Sequence, residues 1–497
     1  MTRIGIDFGT TRTVVAVAEG GRYPVVSFED AGEYRPWVPT MAALDGERWV
    51  YGEAAAALLR RGGRGVRSIK RALGALAPEA NVPGFEVTAL ELATGFFAAL
   101  HARLREREEL GGELEAMLAV PANASSRQRF LTLEAARRGG FSIAGMLNEP
   151  SAAAIELALR SSLSPRSPKR YVVVYDLGGG TFDTSAVSLD GRRFELLASE
   201  GIARLGGEDF DEVILAAWEA ARGAPVPEAL RVAALEACRR AKEQLGPQSR
   251  RLLLDPDEAL GLEPCVLDAS AIYATCEPLI APSLTLLDAI FAGLPAELDP
   301  EDPRQLGAIY LVGGAAAFPA VQRMLRKRHG KKVLLAPESH AATAVGLAVA
   351  ADPDAGVLVR EATTRWFGVW REGDAGRDTV FDPILAKDAR AEADGPIVVE
   401  RAYRPVHTVG HLRYVECTRL DAEGRPDGDL APFGELRFPY DPALAGASDL
   451  AALPIERRPE LGAQVIVERY VYTPDGRIEV HIENRTAAYG RDLVLAS

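Results

Sequence analysis

The 497-residue chain exceeds what one hydrophobic core supports, so it is expected to divide into about three folding units. Its composition, 47% hydrophobic and 26% charged, is that of a globular protein, and a formal charge of −13 argues against a nucleic-acid partner, because a backbone-binding surface needs concentrated lysine and arginine. No basic leader followed by an apolar segment is read, and no apolar run is judged long enough to span a bilayer, so a cytoplasmic location without a membrane partner is expected.

The first predicted element is IGIDFGTTRTVVAVA, residues 4–18: an apolar run, Asp7, Gly9, Thr10 and Thr11 at a tip, then a second apolar run. Helical periodicity follows over 88–109, then over 125–138, closed by Gly139 and Gly140. The polar segment SSLSPRSPK, residues 161–169, reads as a surface loop. It leads into YVVVYDLGGGTFDTSAVSL, residues 171–189, which repeats the first hairpin's layout with Asp176, Gly178, Gly179, Gly180, Thr181 and Asp183. A helix is predicted over 228–245, and AIYLVGGAAAFPAVQRML, residues 308–325, reads as strand, Gly313-Gly314 turn and helix. The alternation through residue 350 is the α/β pattern.

Beyond residue 350 a linker-like passage gives way, from Trp366, to β patterning without helical periodicity. Its clearest piece is residues 463–486, two alternating strands around Pro474-Asp475-Gly476. His407 and His411 fall on strand-like alternation with no third ligand, which argues against a metal site. Cys238, Cys265, Cys276 and Cys417 form no CxxC pair and read as free thiols.

A glycine turn lets backbone N–H groups approach a phosphate, threonine hydroxyls add donors, and an adjacent aspartate can hold hydrated Mg2+. Two such turns facing each other grip a polyphosphate from both sides; either one alone reads equally well as a tight hairpin. A strand, Gly-Gly, helix turn suits the flat face of a nucleoside.

Taken in order, IGIDFGTTRTVVAVA, SIKRALG (68–74), AVPANASSRQR (119–129), NEPSAAA (148–154), DLGGGTFD (176–183), RLGGEDFD (204–211) and LVGGAAAFP (311–319) closely resemble the seventy-kilodalton heat-shock chaperones of the DnaK type. The resemblance covers residues 1–350 and implies a two-lobed actin-like (ribonuclease H-like) ATPase domain using ATP/ADP and Mg2+. It implies that Asp7 and Asp176 hold Mg2+ through water, that Gly9, Thr10, Thr11 and Gly178 to Gly180 cradle phosphates, and that Thr181 sits at the γ-phosphate. Lys70 is implied to stabilise the transferring phosphoryl group, and Glu149 to orient the attacking water or take its proton. Gly206, Gly207 and Glu208, followed by Asp209, match the loop that closes over phosphate, Gly313 and Gly314 match the nucleoside turn, and Pro121 and Arg129 match relay positions toward a second domain.

The chain departs from that pattern on the adenosine side. The family's ribose glutamate, lysine and stacking arginine correspond to Arg239, Lys242 and Glu243, and its second stacking arginine corresponds to Ala317, which predicts weaker adenine binding or relaxed base choice. Gly145 stands where members that receive a J-domain co-chaperone carry arginine, which argues against ordinary J-domain stimulation. The outer first lobe, near residues 75–90, reads as shorter than usual.

VLVRE, residues 357–361, stands at the family's interdomain linker, and the region beyond it resembles the peptide-binding β-sandwich in layout, with no helical lid expected. The expected organisation is an ATPase domain over 1–350, a linker over 351–365 and an antiparallel β-sandwich over 366–497. The leading expectation is a chaperone-like ATPase that couples Mg-ATP hydrolysis to binding of extended polypeptide, its partner a client or a dedicated protein. A nucleotide-dependent binding or scaffold module with little hydrolysis is the alternative. A metabolite kinase of the same superfold is a third reading, disfavoured by NEPSAAA and GGEDFD.

Overall fold

The structure is a computed structural model and describes every residue except 31, 78, 162–167, 300, 301, 362, 374–377, 388, 390–394, 474–477, 496 and 497. Its contacts divide the chain into two units: Met1–Ala122 with Leu131–Arg360, and Asn123–Phe130 with Glu361–Ser497.

The first unit holds two sheets built on one plan. In the first, Thr2–Phe8 pairs antiparallel with Arg12–Val17 and parallel with Leu114–Val120, with Ser142–Asn148 beyond and Val38–Pro39 at the other edge. In the second, Tyr171–Leu177 pairs antiparallel with Phe182–Ser188 and parallel with Leu306–Val312. The central strands read as unbroken apolar runs because helices cover both faces: Val172, Val173 and Val174 are all fully buried. Leu358–Arg360, inside the predicted linker, pairs parallel with Arg193–Glu195 as the sixth strand of the second sheet, packing Val357 and Val359 inward and leaving Leu358 exposed.

The predicted helices form at Ala89–Arg105, opened by a Thr88–Glu91 capping box, at Ser126–Arg138, and at Arg231–Glu243. Glu149–Ser161 and Ala342–Ala351 cross at their smallest residues. A Cβ on Gly346 would collide with the carbonyl of Ala152, and one on Gly5 with the backbone of Ala344 and Ala348. These glycines let a helix lie directly against a second helix and against the first strand.

One expectation is corrected. Helix Ala269–Ala292, 24 residues long, is apolar enough to cross a bilayer by length and composition. Glu277 and Asp288 break up its run in the sequence, and in the fold Ile272, Tyr273, Cys276, Ile280, Leu287 and Ile290 pack into the core beneath the second sheet. The helix thus buries one face beneath the second sheet, while 28% of its apolar window as a whole is buried.

The second unit is two four-stranded antiparallel sheets, one with Asp378–Leu385, Trp366–Gly373, Val409–Leu420 and Pro426–Pro439 in order, the other with Ile397–Tyr403, Ile466–Tyr472, Ile478–Asn484 and Tyr489–Leu495. Their inner faces share an apolar cluster around Phe367, Tyr414, Ile466, Tyr470 and Val480. A charged group lies inside it: Glu468, fully buried, takes two hydrogen bonds from Arg371 (3.0 and 2.6 Å) and one each from the hydroxyls of Tyr403 and Tyr470 (2.5 and 2.6 Å). Within this unit Ser126 donates through its backbone N–H and its hydroxyl to Glu416 (3.0 and 2.5 Å).

The predicted 463–486 hairpin pairs from Ile466↔Asn484 to Tyr472↔Ile478; its turn lies outside the described residues, as does most of the 161–169 loop. His407 lies before the strand Val409–Leu420 and bridges to Arg457, and the ring of His411, on that strand, contacts Glu435.

Candidate functional site

The two duplicated hairpins close their tips identically: the N–H of Gly9 donates to the carbonyl of Arg12 (3.0 Å), and that of Gly178 to the carbonyl of Thr181 (3.1 Å). They also face each other. A Cβ on Gly179 would lie 2.5 Å from the Thr11 methyl, and one on Gly180 3.0 Å from that of Thr10, so these two positions must lack a side chain for the tips to approach. Gly206 and Gly207 complete the ring, with Gly207 N–H on Gly178 O (3.0 Å) and Glu208 N–H on Gly179 O (2.7 Å) at the start of helix Gly207–Arg222. Gly313, with φ 83°, sits where a Cβ would press on Asp176 Oδ1, which brings the third glycine turn, with Gly314, to the same place.

Below the tips lies the charged centre. Ser68 caps the short helix Ile69–Ala75, and the next turn of chain carries Lys70 inward to a 2.6 Å ion pair with Glu149, both buried. Burial works against the Lys70 ammonium, but Glu149 and Asp7 outweigh it and hold its pKa above the ordinary lysine range. Asp7 is pushed up to about 7 by burial and by the charge of Glu149, against the pull of Lys70. Asp176 is raised well above the usual carboxylate range by burial, then by Glu149, Asp7 and Asp183; Asp183 stands opposite it in the hairpin register.

Carboxyls pushed up in this way lack a counter-charge, and Asp7, Glu149 and Asp176 outnumber Lys70 there. Hard oxygen donors with a deficit of positive charge suit Mg2+. Among the described residues no three His, Cys, Asp or Glu side chains gather to ligate a metal directly, and a hydrated Mg2+ held through its waters requires no such cluster.

The helix Arg231–Glu243 supplies the other predicted group, whose members are already engaged. Arg239 is ion-paired to Glu236 (2.7 Å), Lys242 to Asp211 (2.7 Å) and to the carbonyl of Gly207, and Glu243 to Arg12. Arg67 reaches Glu236 (2.6 Å), and Arg71 reaches Glu208 (2.5 Å) and Gly180 O (3.0 Å), so three arginines from the first lobe meet acids of the second. Arg12, Arg67, Arg71, Trp37 and His340 were missed from the sequence. Arg12 and Arg71 directly follow predicted site residues, Thr11 and Lys70, and position alone was the available signal. Thr181 sits at the second tip; Pro121 follows the strand Leu114–Val120, and Arg129 lies in the segment grouped with the second unit.

A family model described as Hsp70 protein matches residues 88–363. The chain is 31% identical over 381 residues to a protein named Chaperone protein HscA homolog from Pseudomonas fluorescens strain Pf-5, a match covering 71% of this chain and 58% of that relative. Proteins of the same name from Pseudomonas aeruginosa and Azotobacter vinelandii are 31% identical over 378 and 380 residues, again covering 71% of this chain and 58% of each relative. The matched region thus spans less than two thirds of these relatives' length.

Proposed function

The chain belongs to the Hsp70 family, and we propose that it binds and hydrolyses Mg-ATP in its first unit and couples this to binding of extended polypeptide by the β-domain, residues 366–497. The observation that carries this reading is the buried Lys70–Glu149 pair set beneath two facing glycine-threonine tips, beside Asp7 and Asp176.

On this reading the backbone N–H groups of the two tips, with Thr10, Thr11 and Thr181, hold the phosphates, and the loop from Gly206 to Glu208 closes over them. Asp7 and Asp176 hold Mg2+ through water, and the ion offsets phosphate charge. Lys70 stays protonated and stabilises the charge that develops on the transferring phosphoryl group. Glu149, fixed by Lys70, orients the attacking water and receives its proton. Peptide is held by strand-edge hydrogen bonds and side-chain recesses of the β-domain, as a client or a dedicated partner. Gly145, on a strand with a bulge between Ile143 and Gly145, argues against a J-domain partner of the ordinary kind. All four cysteines are free thiols, which supports a cytoplasmic location.

Single-turnover ATP hydrolysis by the purified full chain tests the proposal, with Lys70→Ala and Glu149→Ala alongside and nucleotide binding as the control for folding. Wild-type turnover well above both variants is expected. Equal slowness in all three, with nucleotide still bound, replaces the ATPase by a nucleotide-dependent binding module. A peptide array probed with the same full-length protein tests the second half; no peptide retained, with and without Mg-ATP, points to a dedicated partner.

A further inference from the structure

Resting on the nucleotide reading above, we infer that Arg12 is the cation that stacks on the nucleobase, presented from the first lobe in place of the arginines missing at Glu243 and Ala317. Its guanidinium lies 4.2 Å from the centre of the Trp37 ring, and Trp37 in turn meets the edge of His340 at 5.5 Å and 79°. Glu243 pairs with the Arg12 head group, so the acid at the former cation's position fixes the new one. Trp37 on the plane and Glu243 on one edge together fix the orientation of a side chain that is otherwise free to rotate.

The head group is placed at the nucleoside end of the cleft. A Cβ built on Gly314 would stand 4.0 Å from Arg12 Nη1, so the guanidinium borders the Gly313–Gly314 turn, whose side-chain-free surface suits a flat ring. Two buried polar atoms in this group, Arg12 Nε and His340 Nε2, have no hydrogen-bond partner among the described residues. The Arg12 Nε donor and the His340 ring nitrogen, donor or acceptor according to tautomer, lie next to the glycine turn, where a ligand with ring nitrogens or ribose hydroxyls would complete them. A guanidinium recognises the π-face that every base carries and reads no Watson–Crick edge, so adenine and guanine nucleotides are bound with similar affinity.

The experiment titrates the purified full chain with Mg-ADP, Mg-GDP and Mg-pyrophosphate, for wild type, Arg12→Ala and Arg12→Lys, by calorimetry and tryptophan fluorescence. Both variants are expected to lose about five- to tenfold in affinity for Mg-ADP and Mg-GDP, with less than about a twofold change for Mg-pyrophosphate. Lysine keeps the charge and loses the plane, so rescue by Arg12→Lys, or an equal loss with pyrophosphate, assigns Arg12 to phosphate electrostatics and overturns the inference. Unchanged or tighter Mg-ADP binding in Arg12→Ala overturns it as well, showing a side chain that fills the base site without serving it. In those cases wild type still binds Mg-ADP; a wild-type protein that binds neither nucleoside diphosphate defeats the nucleotide reading itself.

Discussion

Replacing Asp7 by asparagine separates the metal role proposed for this carboxylate from what it does to the fold. Burial and the charge of Glu149 take its pKa from 3.8 to about 7. Seven minus 3.8 is about 3 units, which at about 1.36 kcal/mol per unit corresponds to roughly 4 kcal/mol. Relaxation of the surroundings when the group ionises reduces the expected effect to about 2 kcal/mol. The folded state holds this proton more tightly than the unfolded one, so Asp7's contribution is fully present below pH 3.8 and is lost as pH rises toward about 7. Asparagine cannot ionise, so Asp7→Asn is expected to melt higher than wild type at pH 8 without nucleotide, by about 2–4 °C, and the gap is expected to shrink to less than about half of that by pH 5, closing only below 3.8. Melts across pH 5 to 8, with and without Mg-ADP, supply the assay. Mg-ADP is expected to stabilise wild type, and that stabilisation is expected to be lost in the variant. A variant less stable than wild type at pH 8 without nucleotide, or a gap that ignores pH, refutes the reasoning.

Gly179→Val places a branched side chain where a single Cβ already meets Thr11, so Mg-ADP affinity is expected to fall at least about tenfold with the circular dichroism spectrum intact; unchanged affinity refutes the facing of the two tips. Glu468→Gln removes the charge that Arg371 is buried against and is expected to cost about 3 kcal/mol of stability, read as an earlier urea transition in the β-domain's tryptophan signal from Trp366 and Trp370. A transition that does not move shows that the sandwich does not depend on its buried ion pair.

The strands of the first unit were legible because a sheet covered on both faces leaves an unbroken apolar run in the chain, as Tyr171–Leu177 shows. The pairing of the two tips was legible as a repeated layout. Burial of Lys70 was not, since a lysine between isoleucine and arginine on a short helix reads as solvated, and the acids that draw it inward come from residues 7, 149 and 176. Glu468 and Arg371 lie on strands whose alternation places one face inward, yet nothing local says that a carboxylate is buried there; besides Tyr470 on its own strand, its partners Arg371 and Tyr403 arrive from two other strands. Arg12 shows the same limit, as its partners Trp37, Glu243 and His340 are set by the fold and invisible to spacing.

The crossing of Glu149–Ser161 with Ala342–Ala351 has a mechanical consequence. Where Gly346 rides on the Ala152 carbonyl the two backbones touch, with Leu347 packed beside Ala152 and Val349 clustered with Ile155 and Leu157, so the helices are held at a fixed spacing that no added side chain could keep. Away from that crossing the two lobes are joined by ion pairs instead, Arg12–Glu243, Arg67–Glu236 and Arg71–Glu208. Arg12–Glu243 and Arg71–Glu208 are part-exposed and are the contacts that added salt weakens, whereas the buried Arg67–Glu236 pair is largely shielded from it.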